Sequence, residues 1–163
     1  MTEWRASSDT EVVRLANRLR SLDWSWQMAD VPQLAAAFGW NVQTVLPQSV
    51  MLDVGLGMAS GGIQGRNGQA EIIEIGVAAG AARDAEGQAL VRDTFARLAS
   101  AITEALGSPT SRLPGEIPEI RWADTDFTLQ LICFKTTVRL FLVTNTWLAV
   151  HDETVALQEQ GLI

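Results

Sequence analysis

The sequence predicts a single α+β domain: a mainly antiparallel sheet of about six to seven strands covered by helices. Three observations point there. The chain has 163 residues, 47 % of them hydrophobic, which fits one domain with a sizeable core and is too apolar for disorder. Strand-like runs come in adjacent blocks before and after the longest helical stripe. That block order is α+β and not a series of parallel βαβ units. Finally, Asn67-Gly68 is a strong signal for a type I′ hairpin between two such runs.

The elements follow in the order α-α-β-β-β-β-α-β-β-(β)-α, and residues 1–163 form one domain. Ser8 and Glu11 make a capping-box pattern ahead of Val12, Leu15, Ala16, Leu19 and Leu22, whose spacing predicts an amphipathic helix over about 9–22. After the turn Asp23-Trp24-Ser25-Trp26, a second helix opens at Asp30, tolerates Pro32 in its first turn and stops at Gly39. Trp40 starts the sheet. Runs 41–46 and 50–56 alternate as strands across Pro47-Gln48-Ser49, with Val50, Leu52, Val54 and Leu56 on one face. A Gly-rich strand near 59–65 then pairs with 70–77 through Asn67-Gly68. The longest helix spans 84–106, with Leu90, Val91, Phe95, Leu98, Ile102 and Leu106 as its stripe and Gly107 closing it. Strands over 120–123, 127–134 and 137–144 follow. Trp147–Val150 reads as a further short strand, and a helical tail starts at Asp152.

Composition narrows the chemistry. Twelve Lys+Arg stand against 19 Asp+Glu, a formal charge of −7, and the acidity divides as −3 in residues 1–82 and −4 in residues 83–163. A field of this sign repels nucleic-acid phosphates and anionic lipid and favours basic partners. One Cys and one His exclude an intrachain disulfide and a zinc site built from several N/S ligands. With no apolar stretch near the ~20 residues of a membrane span and no leader-like start, the expectation is a cytoplasmic, soluble protein.

The motifs that invite catalytic readings have structural explanations beside them. The run Gly55-Leu56-Gly57-Met58-Ala59-Ser60-Gly61-Gly62 carries Ser60 where a dinucleotide fingerprint needs Gly, and it feeds a hairpin instead of a helix. Glycines for bends and close strand approach explain it better, though it could wall a ligand pocket with Asp53, Asp124 or His151. His151-Asp152-Glu153 cannot converge on one proton or metal, because neighbours diverge on a strand or a helix. A surface His with Asp152 as a helix cap accounts for it. Cys133 and Ser60 lack any nucleophile motif. Asp124-Thr125-Asp126 reads as a polar turn. No catalytic residue, cofactor or metal ligand is therefore assigned.

Six Trp and no Tyr are the oddest feature. Trp40, Trp122 and Trp147 sit at core strand positions. Trp24 and Trp26 alternate around Ser25 and, with Trp4, would make an anchor for a protein partner. Trp4, Trp24, Trp26, Asp124 and Asp126 are the predicted partner-binding residues. No basic residues interleave with the rings, so a single-strand nucleic-acid platform is not indicated.

The segments Trp24-Ser25-Trp26, Phe38-Gly39-Trp40, Pro118-Glu119-Ile120-Arg121-Trp122 and Asn145 through Glu153 together resemble a family of small acidic actinomycete proteins with no assigned activity. More loosely, the element order is similar to secretion-chaperone-like α/β folds and to immunity proteins of polymorphic toxin systems. The resemblance implies a non-enzymatic module that covers another protein's surface, such as a basic toxin or secreted protein. A small-ligand protein or enzyme using residues 55–65, and a homodimeric structural subunit pairing through a strand edge, are the alternatives.

Overall fold

The computed structural model describes residues 3–162. A nine-stranded sheet forms the centre, with every strand pairing antiparallel. Its strands are β1 (Arg5–Ala6), β2 (Asn41–Leu46), β3 (Ser49–Asp53), β4 (Gly61–Arg66), β5 (Gln69–Ala79), β6 (Ser111–Leu113), β7 (Glu119–Ala123), β8 (Phe127–Cys133) and β9 (Val138–Thr144). The order across the sheet is β2-β3-β4-β5-β9-β8-β7-β6, and β1 pairs with the far end of β5. The helices are α1 (Asp9–Arg20), α2 (Val31–Phe38), α3 (Ala85–Leu106) and α4 (Asn145–Glu159), with a 3₁₀ turn at Met28–Asp30. The α+β class and the antiparallel sheet match the expectation; the strand count exceeds it by β1 and β6. Those strands have two and three residues, too short for an alternation to register.

The local rules for the first three helices operate as read except at the start of α2, where Asp30 makes no side-chain cap and accepts from Ser25 Oγ instead. Ser8 Oγ accepts from the Glu11 amide at 3.1 Å while Glu11 Oε1 accepts from the Ser8 amide at 2.9 Å, so the capping box closes. Val12, Ala16 and Leu19 are buried beneath α1. Gly39 takes φ +76° at the end of α2, the left-handed conformation that costs Gly least. Asp84 caps α3 by accepting from the Gly87 amide at 2.8 Å. Its buried stripe runs through Val91, Leu98 and Ile102, but Leu90 lies on the exposed side of α3, one position off the predicted face.

α1 packs on α3 and both lie on β8 and β9. Beneath them the core face of the sheet carries Ile73, Ile75 and Val77 from β5, Leu140 and Leu142 from β9, and Leu129 and Leu131 from β8. Alternation along β5 sends Ile72 and Glu74 to the opposite face. In the Asn67-Gly68 turn both residues have positive φ, 54° and 80°, the type I′ signature.

The expected strand at Trp147–Val150 is helix, and the helix starts at Asn145, not at Asp152. Thr144 ends β9 and caps α4, its Oγ1 accepting from the Trp147 amide at 3.2 Å. Asn145 fixes the entry: its Nδ2 donates to the Asp124 and Thr125 carbonyls at 2.8 and 3.1 Å, and its Oδ1 accepts from Thr128 Oγ1 at 2.7 Å. A strand would have thrown Trp147 and Leu148 to opposite sides. As a helix, both pack with Phe141 and Val143 on the second face of the sheet.

Candidate functional site

The polar residues singled out in the sequence mostly hold backbone in place. Asp53 Oδ1 accepts from the Gly55 and Gly57 amides at 2.8 and 3.2 Å, and those amides hold its carboxyl below the usual range. Ser60 donates to the same oxygen at 3.4 Å and accepts from the Val54 amide at 2.9 Å. Gly55 and Gly57 have room beside them and positive φ, 113° and 108°, whereas Gly61 and Gly65 are pressed against chain. A Cβ on Gly61 would sit 2.5 Å from Val54 Cγ1, and one on Gly65 would sit 2.2 Å from the Gln69 carbonyl oxygen. Cys133 is buried, and burial raises its thiol pKa. Among the described residues, no group of three or more His, Cys, Asp and Glu is placed to hold a metal ion, and no helix is long and apolar enough to cross a membrane.

The His151-Asp152-Glu153 triplet divides as its spacing requires. His151 stacks on Trp147, ring centroids 4.8 Å apart. Asp152 lies within α4 and caps nothing; it takes two hydrogen bonds from the Arg121 guanidinium, at 2.7 and 2.9 Å. Arg121 also bonds Glu119, which accepts from Gln130 Nε2 at 2.6 Å. This network joins β7, β8 and α4. Arg121 carries no weight in a sequence reading, since its partner is 31 residues away.

Four of the five predicted partner-binding residues come together at one corner. The segment after α1 lies along the end of the Asn67-Gly68 hairpin, with the Trp26 carbonyl accepting from the Ala70 amide at 2.8 Å and the Met28 amide donating to the Gly68 carbonyl at 2.9 Å. This holds Trp26 at φ +57° and turns its ring onto Phe127, stacked at a centroid distance of 4.5 Å. Trp24 tilts against Trp26 at 5.4 Å, and its Nε1 donates to the Asp30 carbonyl at 3.3 Å. Both Trp are half-buried and pack against the core.

Asp124, Thr125 and Asp126 form the polar turn between β7 and β8. The Asp124 amide donates to the Phe127 carbonyl at 2.9 Å, and Asp124 Oδ1 accepts from the Thr125 amide at 2.8 Å. Below this turn lies a cavity of about 150 Å³ walled by Trp122, Phe127, Leu129 and Leu142, with Asp124, Asp126 and Arg20 at its mouth. Arg20 Nε stands 3.9 Å from Asp124 Oδ2. That volume is below the roughly 300–1,000 Å³ of a small-molecule pocket and is of the size of one side chain. A separate shallow groove of about 400 Å³ lies beside Trp24 between α1 and α2. Arg18 lies over the Phe38 ring in that groove, 3.9 Å from its centroid.

Trp4 is apart from this corner. It precedes β1, which pairs with Ala78 and Ala79, whereas Trp26 meets β5 at Ala70. Nine residues of strand separate the two, about 30 Å. Trp40 and Trp122 are buried, as expected for core rings; Trp147 is half-buried and on a helix, not a strand. Sequence reasoning missed Phe127 and Arg20, which join the two halves of the corner, because no local pattern reports a contact across 101 residues.

No curated protein and no solved structure matches the chain. Residues 10–144, from α1 through β9 and including Trp24, Trp26, Asp124 and Asp126, match the model of a family of unknown function (DUF6301), and the chain belongs to that family.

Proposed function

We propose that this protein is a non-enzymatic protein-binding module that masks the surface of a basic partner, of the immunity or chaperone type, and that it does so with the Trp24/Trp26–Asp124/Asp126 corner. The observation that carries this reading is the stack of Trp26 on Phe127 at 4.5 Å, which sets aromatic surface beside the Asp124-Asp126 turn over a cavity the size of one side chain. Asp124 and Asp126 face the single cation Arg20 around it, an excess of negative charge. A Lys or Arg side chain reaching in would find carboxylates at the mouth and ring surface on the walls. The overall charge of −7 would steer such a partner toward the module.

The test is recovery of the tagged protein from its native host, with bound proteins identified at low and high salt. The expected result is a basic partner that is released as salt rises, is lost with the Asp124→Asn/Asp126→Asn double variant, and is kept by Trp4→Ala. Recovery of nothing at any salt, or a partner indifferent to the double variant, would count against the proposal.

A further inference from the structure

From Val31 to Leu52 the chain contains no Asp, Glu, Lys, Arg or His, a run of 22 residues in a protein where 19 % are charged. This run is α2, β2 and all of β3 except Asp53, so the charge-free stretch gathers at one end of the sheet. β2 is the last strand there, paired only with β3. All six of its residues are exposed, with Val45 at 68 % and Leu46 at 56 %. A register shift between Val42 and Thr44 leaves Val42 opposite Leu52 and Val45 opposite Val50, so both valines stand on the core-side face. The bulged Gln43 is tied down, its Oε1 accepting from the Ala59 amide at 2.9 Å.

The other edge of the same sheet is built differently. β6 has three residues, includes Arg112, and lies between Pro109 and Pro114. Short length, charge and proline are the usual means of keeping a strand edge from pairing. β2 is twice as long and uncharged; Pro47 only ends it, and its one bulge, at Gln43, is tied back to the Ala59 amide. An uncharged strand of this length offers a row of backbone donors and acceptors with apolar side chains beside it.

We infer that two copies of this chain pair through β2, antiparallel about a twofold axis, and join their sheets into one. Charge selects this occupant. A partner recognised by opposite charge would need charges on the edge strand itself, and β2 carries none. Two copies that each carry −7 can approach only where the seam itself is neutral, and here the charged surfaces are kept away from the axis. Charge depletion with added apolar area is also the mark of homodimer interfaces, and a twofold sets each strand against its own image. Residues 31–52 offer 14 exposed positions per copy, short of the roughly 20–30 a side of a standard interface. The dimer is therefore of the reversible, concentration-dependent kind. It leaves the Trp26 corner, across the sheet on β5 and β8, outside the seam.

Sedimentation velocity of the full chain over about 10–500 µM, the range in which so small an interface associates, tests the pairing. The expected result is a shift from the 17.7 kDa monomer to twice that mass as concentration rises. Val45→Lys places like charges near the axis and weakens dimerisation about tenfold or more, although it lowers the net negative charge of each copy. Leu113→Lys, the same charge change on β6, leaves dimerisation unaltered. Circular dichroism confirms that both exposed-site variants are folded. A wild type monomeric throughout, a dimer indifferent to Val45→Lys, a dimer lost in Leu113→Lys, or growth beyond a dimer would each overturn the pairing.

Discussion

Arg121 on β7 grips Asp152 on α4 through two parallel hydrogen bonds, Nη1 to Oδ2 at 2.7 Å and Nη2 to Oδ1 at 2.9 Å. The guanidinium is largely buried, whereas 44 % of the Asp152 side chain remains exposed. A hydrophobic contact around Leu148, the Asn145 bonds at the start of α4 and this pair fasten that helix to the sheet's second face. The carboxylate's pKa is lowered from 3.8, first by the Arg121 hydrogen bonds and then by Coulomb attraction to Arg121 and His151. Since the folded value is the lower one, the stabilisation is complete above the unfolded value and is lost as pH falls through the folded value. Asp152→Asn is expected to cost about 1 kcal/mol at pH 7, less than a fully buried charged bond because water screens the exposed side. Thermal melts of both proteins from pH 7 downward should show the gap begin to narrow as pH falls below about 4. A gap unchanged as pH falls to the lowest value at which both proteins stay folded would show that the ion pair is not its source.

The Trp26–Phe127 stack should behave as a coupled pair. Stacked rings contribute about 0.5–1.5 kcal/mol beyond the area they bury, so the two Ala variants should be non-additive by that amount in a urea double-mutant cycle. Trp26 also holds φ +57°, a conformation that costs a non-glycine residue about 1–2 kcal/mol. Trp26→Gly is accordingly expected to lose less stability than Trp26→Ala, although it removes the same ring. Equal losses in the two variants would mean that the backbone there carries no strain.

Two glycines of one hairpin separate steric need from backbone need. A Cβ on Gly65 would lie 2.2 Å from the Gln69 carbonyl oxygen and 2.8 Å from Met28 Sδ, whereas Gly68, at φ +80°, has nothing within 4 Å. Gly68→Ala then costs only the left-handed penalty, about 1–2 kcal/mol. Gly65→Ala forces the β4–β5 register apart and is expected to cost about 3 kcal/mol or more. Chemical denaturation of the two variants checks the order, and Gly65→Ala being the milder change would contradict it.

What the sequence reveals here depends on how far apart the partners lie. The Ser8–Glu11 box, the Gly39 stop and the Asn67-Gly68 turn are each settled within a few residues, and each is legible. α4 misleads because Trp147, Leu148, Ala149 and Val150 look like a strand, while the deciding groups are Thr144 as cap and Asn145 bonded back to the Asp124 turn 21 residues away. The corner was half legible. Both Trp24/Trp26 and Asp124/Asp126 stand out by composition, but the stack of Phe127 on Trp26, with Arg20 beside Asp124, is what brings them together. The edge character of β2 is a property of strand order, which alternation along one strand does not encode.

Cys133 provides the last test, of the core face itself. The thiol is 3 % exposed and its only hydrogen-bond partner among the described residues is the Phe134 carbonyl, at 3.8 Å. Desolvation raises its pKa, and the positive charge of Arg92 offsets this only in part. Because the thiolate is the reacting species, both access and ionisation oppose modification. The folded protein is expected to react with a thiol-exchange reagent at pH 8 at least about a hundredfold more slowly than the urea-unfolded chain, at a rate set by opening of the sheet's β8–β9 end. Val138→Ala, which thins the packing directly across from Cys133 in the β8–β9 register, should raise that rate while leaving the unfolded-state rate unchanged. Rapid labelling of the native wild type would mean that this end of the core is open to solvent.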